Sequence, residues 1–95
     1  MAAKKKKYVI ARHYEALGEF LREQRISAGL TQRSVSLSLG YSSAQFISNF
    51  ERGIAAPPLK KLKILARLYK MPTERVVDLV IEAERAILEG ALRGN

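Results

Sequence analysis

Gln45 and Asn49 stand four residues apart in the polar stretch Ser42-Ser43-Ala44-Gln45-Phe46-Ile47-Ser48-Asn49-Phe50. Four residues is about one helical turn, so the two amides share a face if this stretch is helical. A carboxamide sets a donor beside an acceptor, the arrangement that bonds adenine at N6 and N7 in a major groove. Ser43 and Ser48 add hydroxyls that adjust to several base edges, and Ala44 is small and apolar enough to meet a thymine methyl. This chemistry requires Ile47 and Phe50 to turn the other way, into a core; otherwise the face is only a solvated polar surface. Gln32 opens an earlier helix, where free backbone N–H groups attract a phosphate oxygen; the alternative is an ordinary exposed helix residue. Arg52, Lys60, Lys61 and Lys63 read either as phosphate clamps, which fix register without reading sequence, or as a solvated helix face.

The composition narrows the classes. Of 95 residues, 47% are hydrophobic, enough for one domain with a modest core. There are no cysteines and one histidine, His13, so disulfides, thiolate metal sites and a histidine-based catalytic pair are not expected. No glycine-rich phosphate loop is present, and neither an enzyme nor a cofactor or metal is expected. Charge is unevenly placed: residues 1–72 carry 14 Lys and Arg against 4 Glu, whereas residues 73–95 carry 3 against 5 Asp and Glu. The front of the chain suits a polyanion and the tail does not. No segment approaches membrane-spanning length, and a soluble, cytoplasmic, nucleoid-associated protein is expected.

Five helices and no strand are expected. Residues 1–11 form a basic arm, because Lys4 to Lys7 repel one another; it can follow a DNA backbone or serve only solubility. From Tyr14, Leu17, Leu21 and Ala28 fall on one helical face with Phe20 beside them, and Gly29 ends the helix. Thr31 caps a second helix to about Leu39, with Val35 and Leu39 inward, and Gly40 makes the turn. Ser42 or Ser43 caps a third helix with Phe46, Ile47 and Phe50 inward, stopped by Gly53. Pro58 sits in the first turn of a fourth, where Leu59, Leu62, Leu65, Ala66 and Tyr69 follow the helical period. Pro72 breaks that helix, and Thr73 starts a longer fifth to about Leu92. Two short helices closed by a tight turn let the second lie in a major groove.

The ordered set Leu17, Leu21, Arg25, Ala28 to Gln32, Val35, Leu39-Gly40, Ile47-Ser48, Phe50 to Gly53, Pro57, Leu62 and Leu65-Ala66 resembles the Cro/repressor-type (Xre-like) helix-turn-helix family over residues 14–71. The resemblance implies an all-α, five-helix lambda-repressor-like domain with the helix-turn-helix at helices two and three. It places base contacts at Ser43, Ala44, Gln45 and Asn49, and pairs Arg25 with Glu51 as a structural bridge. Two departures stand out. Gly40 to Ile47 spans seven positions where six are usual, so Asn49 is placed from the intact Ile47–Glu51 gap; and Ser36 stands where alanine is commoner. Leu37 falls outward without an evident reason.

The fifth helix carries two apolar stripes: Val76, Val80, Ala83, Ile87 and Ala91, and Val77, Ile81, Leu88 and Leu92. One can pack on the domain (residues 12–72), leaving the other for a second copy in a twofold contact or for the domain's own core. Residues 73–95 are thus a dimerisation element in the favoured reading. The function expected is sequence-specific binding of double-stranded DNA by a homodimeric repressor or regulator, with strongly salt-dependent affinity. The same fold also serves as a protein-interaction module, an antitoxin or a transcription-machinery adaptor, acting through the C-terminal helix.

Overall fold

The structure, a computed structural model, describes residues 13–94; the lysine arm lies outside the described residues. Five helices follow in order: α1 (Glu15–Ser27), α2 (Gln32–Ser38), α3 (Gln45–Glu51), α4 (Leu59–Tyr69) and α5 (Thr73–Leu92). No strand occurs among the described residues. α3 lies against α1 and α2, while α4 and α5 pack on α1. The core joins Leu17 and Leu21 of α1, Val35 and Leu39, Ile47 and Phe50 of α3, Leu65 and Tyr69 of α4, Met71, and Val76 and Leu79 of α5.

Local chemistry sets the boundaries. α1 closes at Gly29 with φ +73°, and the Leu30 N–H reaches back to the Arg25 carbonyl. Ala28 therefore lies past the helix, exposed, and not on the buried face that the period suggested. At α2 the Thr31 hydroxyl accepts from the Ser34 N–H at 3.0 Å, and the Ser34 hydroxyl accepts from the Thr31 N–H at 3.2 Å. This reciprocal cap satisfies two otherwise orphaned donors of a seven-residue helix, a contribution of about 1 kcal/mol.

Leu59 is 81% exposed at the first position of α4, because Leu65 and Tyr69 set the inward face a turn and a half later. Pro58 precedes that helix as its N-cap. α5 docks through Val76, Leu79 and Ala83. The first stripe is thus only partly right: Leu79 replaces Ala91, which is exposed, while Val80 and Ile87 are half-buried. The Tyr14 hydroxyl donates to Glu84 at 2.6 Å, and Arg75 lies over the Phe20 ring at 5.9 Å; both tie α5 to α1.

Gly18 and Gly53 permit the closest backbone approaches. A Cβ on Gly18 would lie 2.5 Å from the Phe50 carbonyl oxygen and 2.6 Å from that of Glu51. A Cβ on Gly53, at φ +77°, would lie 2.5 Å from the Glu15 Cα. Together they let the C-terminal end of α3 rest on α1 with no side chain between.

Candidate nucleic-acid interface

The brace behind α3 is an ion pair. The Arg25 guanidinium donates from Nε to Glu51 Oε2 at 2.6 Å, from Nη2 to Oε1 at 3.1 Å, and from Nη1 to the Leu30 carbonyl at 2.8 Å. The Glu51 side chain is 3% exposed and that of Arg25 is 11% exposed. The two-point fork fixes both groups, and hydrogen bonding to Glu51 raises the Arg25 pKa further. Burial, aided by the Glu51 charge, holds the Tyr69 hydroxyl well above its ordinary value, so the phenol stays neutral beside the pair. Gln32 joins this cluster: its Nε2 donates to Glu51 Oε1 at 2.9 Å. The amide placed by sequence at a phosphate is thus already engaged through one of its two hydrogens, leaving the second and the helix-end N–H for an anion.

This brace sets the rotation of α3. Ile47, Phe50 and Glu51 are buried, Gln45 is exposed, and Ser48 and Asn49 are partly exposed on the other side. Gln45 Nε2 donates to Asn49 Oδ1 at 2.9 Å, so the amides form one unit. That bond leaves the Gln45 carbonyl oxygen as an acceptor and the remaining N–H groups of both amides as donors, the complement of an adenine edge. Ser43, exposed and one residue ahead of the N-cap, accepts the Gln45 N–H on its hydroxyl at 3.0 Å; its own O–H remains free to donate. Ala44 is half-buried at the N-cap position.

Phe46 departs from the expected inward position. It is 45% exposed, because a seven-residue helix has one buried flank and Ile47, Phe50 and Glu51 fill it. Its ring stacks on Tyr41, with centroids 4.4 Å apart and planes 15° apart. Tyr41 had no role in the sequence reading; a lone aromatic in a turn gives no periodic signal.

The longer turn has its own fastening. The Ser36 hydroxyl, buried at 2% exposure, donates to the Ser43 carbonyl at 2.8 Å and lies 3.4 Å from that of Tyr41. An alanine there would leave the lengthened Gly40–Ala44 connection without this tie, so the two sequence departures form a matched pair. Leu37 is 65% exposed on α2, and nothing in the structure explains an apolar side chain there.

Among the four named cations, Lys61 has a second engagement that the sequence did not indicate. Its Nζ donates to the Leu39 carbonyl at 2.8 Å and lies 5.2 Å from the Tyr41 ring centroid. It closes the carboxyl end of α2 and braces the turn, a role favoured by the partial negative charge at that end. Arg52, Lys60 and Lys63 are exposed and form no ion pair among the described residues. Arg67 continues the Lys60–Lys63 face of α4 one turn on and is also exposed, a cation the sequence reading omitted. On α5, Val77, Ile81, Leu88 and Leu92 are all exposed, between 42% and 78%.

An all-α domain with a braced, outward-facing third helix behind a tight turn is the architecture of a helix-turn-helix protein. The chain belongs to the Xre/Cro-like helix-turn-helix family, whose model matches residues 21–76, more than half its length. It is accordingly a DNA-binding transcription regulator in general terms. No curated protein and no solved structure matches it. No helix among the described residues is long and apolar enough to cross a membrane.

Proposed function

We propose that this chain is a homodimeric, sequence-specific reader of double-stranded DNA that represses by occupying a promoter or operator. The observation that carries the reading is the Gln45–Asn49 amide unit, presented on the side of α3 opposite Ile47 and Phe50. In this reading Ser43, Ala44, Gln45, Ser48 and Asn49 meet base edges. Arg52, Lys60 and Lys63, with the free hydrogens of Gln32 and of the Lys61 ammonium, hold phosphates. Residues 1–11 act as a basic arm and residues 12–72 as the reading unit.

Residues 73–95 supply the dimer contact. On a helical projection the exposed stripe of α5 lies opposite Val76, Leu79 and Ala83, so docking on α1 leaves it available. The stripe is also symmetric about the bond between Glu84 and Arg85. An antiparallel partner crossing there sets Val77 against Leu92 and Ile81 against Leu88 in both directions, as a twofold contact requires. Replacing Ile81 and Leu88 together by Lys is expected to give a folded monomer in light-scattering measurements, with binding to a two-half-site duplex strongly reduced. A double variant that remains dimeric rules out this face. If the stripe instead meets a different protein, the wild-type chain is monomeric and pulls down a stoichiometric partner, the antitoxin or adaptor reading.

Selection from a random duplex pool tests the reading as a whole. An inverted repeat with half-site centres about 34 Å apart is expected. Asn49→Ala should then relax preference at one base pair per half-site, a loss of about 1–3 kcal/mol measured by competition among single-base variants. Uniform weakening across all sequences would show that Asn49 does not read a base.

A further inference from the structure

Phe46 is the one exposed phenylalanine or tyrosine ring among the described residues, and it sits on the flank of an otherwise polar face. It stands three residues before Asn49 and one after Gln45, so on α3 it neighbours the amide unit. Its position is firmly set from behind. Tyr41 stacks beneath it at 4.4 Å and tilts against the buried Phe50 at 6.2 Å, and the Lys61 Nζ caps the Tyr41 ring at 5.2 Å. A ring meant only to close the core would be covered; this one is stacked on one side and open on the other.

We propose that Phe46 reads the 5-methyl group of a thymine adjoining the base pair met by Gln45 and Asn49. The assignment rests on the DNA-reading role proposed above and adds a specificity residue of different chemistry. Among the four base pairs, the thymine methyl is the one apolar group displayed in the major groove, and an open aromatic face is its natural complement. Tyr41 and Lys61 are positioning residues: they hold the ring upright without meeting the base. Ala44, on the opposite flank of the amides, offers a smaller apolar surface and no such support.

The test removes only the methyl. On the selected half-site duplex, each thymine is replaced in turn by uracil, whose hydrogen-bonding edge is identical, and binding is followed by fluorescence anisotropy. Wild-type protein should lose roughly fourfold in affinity at one position per half-site, the value of one buried methyl-sized group. Phe46→Ala and the bulk-keeping Phe46→Gln should be indifferent at that position, with thermal melting confirming that each is folded. Indifference of the wild type at every thymine overturns the assignment. So does a Phe46→Ala or Phe46→Gln protein that keeps the wild-type sensitivity at the same position. A wild-type chain that selects no duplex sequence overturns the DNA-reading proposal itself, whereas selective binding without methyl dependence overturns only the role of Phe46.

Discussion

Glu51→Ala should cost the domain about 3–5 kcal/mol, the largest single-residue effect expected here. The carboxylate accepts two bonds from Arg25 and one from Gln32, and its removal orphans both partners at once. Arg25 cannot escape cheaply: its side chain is 11% exposed and its Nη1 is held by the Leu30 carbonyl. Domains of this size rarely exceed about 5–15 kcal/mol in total, so roughly a fifth or more of the stability is at stake. Urea denaturation of the wild type and the variant gives the difference directly. The double replacement Arg25→Met, Glu51→Leu should recover much of the loss, because two apolar groups leave no stranded charge. A loss below about 1 kcal/mol for Glu51→Ala would place the pair with ordinary surface bridges and remove the brace from the account of α3.

Gly18→Ala should destabilise by about 2–3 kcal/mol, although alanine is the better helix former by about 1 kcal/mol. The sign is decided by backbone, since the added carbon would sit 2.5 Å and 2.6 Å from two carbonyl oxygens of α3. Neither oxygen can rotate aside as a side chain could, so α1 and α3 must separate, and Glu51 moves with α3. Melting should fall by roughly 4–8 °C per kcal/mol lost. Gly90→Ala is the internal control: it is also helical, has nothing within 4 Å of the added carbon, and should be neutral or stabilising. Equal responses at the two glycines would mean that helix propensity, and not the close approach, governs Gly18.

Most of the fold was legible because its boundaries are chemical. Thr31 caps, Gly29, Gly40 and Gly53 take positive φ, and Pro58 and Pro72 precede helices, each a local preference that tertiary packing did not override. The faces of long helices were legible in part. Periodicity found Val76 and Ala83 but missed Leu79, since a helix apolar on two sides offers several stripes of similar quality. Short elements were harder: seven residues give two turns, too few to decide that Phe46 faces out while Ile47 faces in. Ala28 and Leu59 fall at helix ends, where the period no longer dictates burial.

The interface divides along similar lines. The Arg25–Glu51 pairing followed from family resemblance, and the shared projection of Gln45 and Asn49 from their spacing alone. The tie of Lys61 to the turn was not legible, because a long cation near a basic run gives no sign that a backbone carbonyl, twenty-two positions earlier, will hold it. Gly18 was invisible for the opposite reason: what matters there is the absence of a side chain against a distant segment.

The hydroxyl of Ser36 has a consequence for how the proposed reading positions are counted along this chain. By fastening a connection that is one residue longer, it lets the second half of the motif keep its phase while the first half slips. Counting forward from Gly40 assigns the proposed base-facing positions one step out of register, and Gln45 and Asn49 drop out of the set. Counting backward from the carboxylate of Glu51, which is locked to α1, preserves the phase whatever the length of the turn.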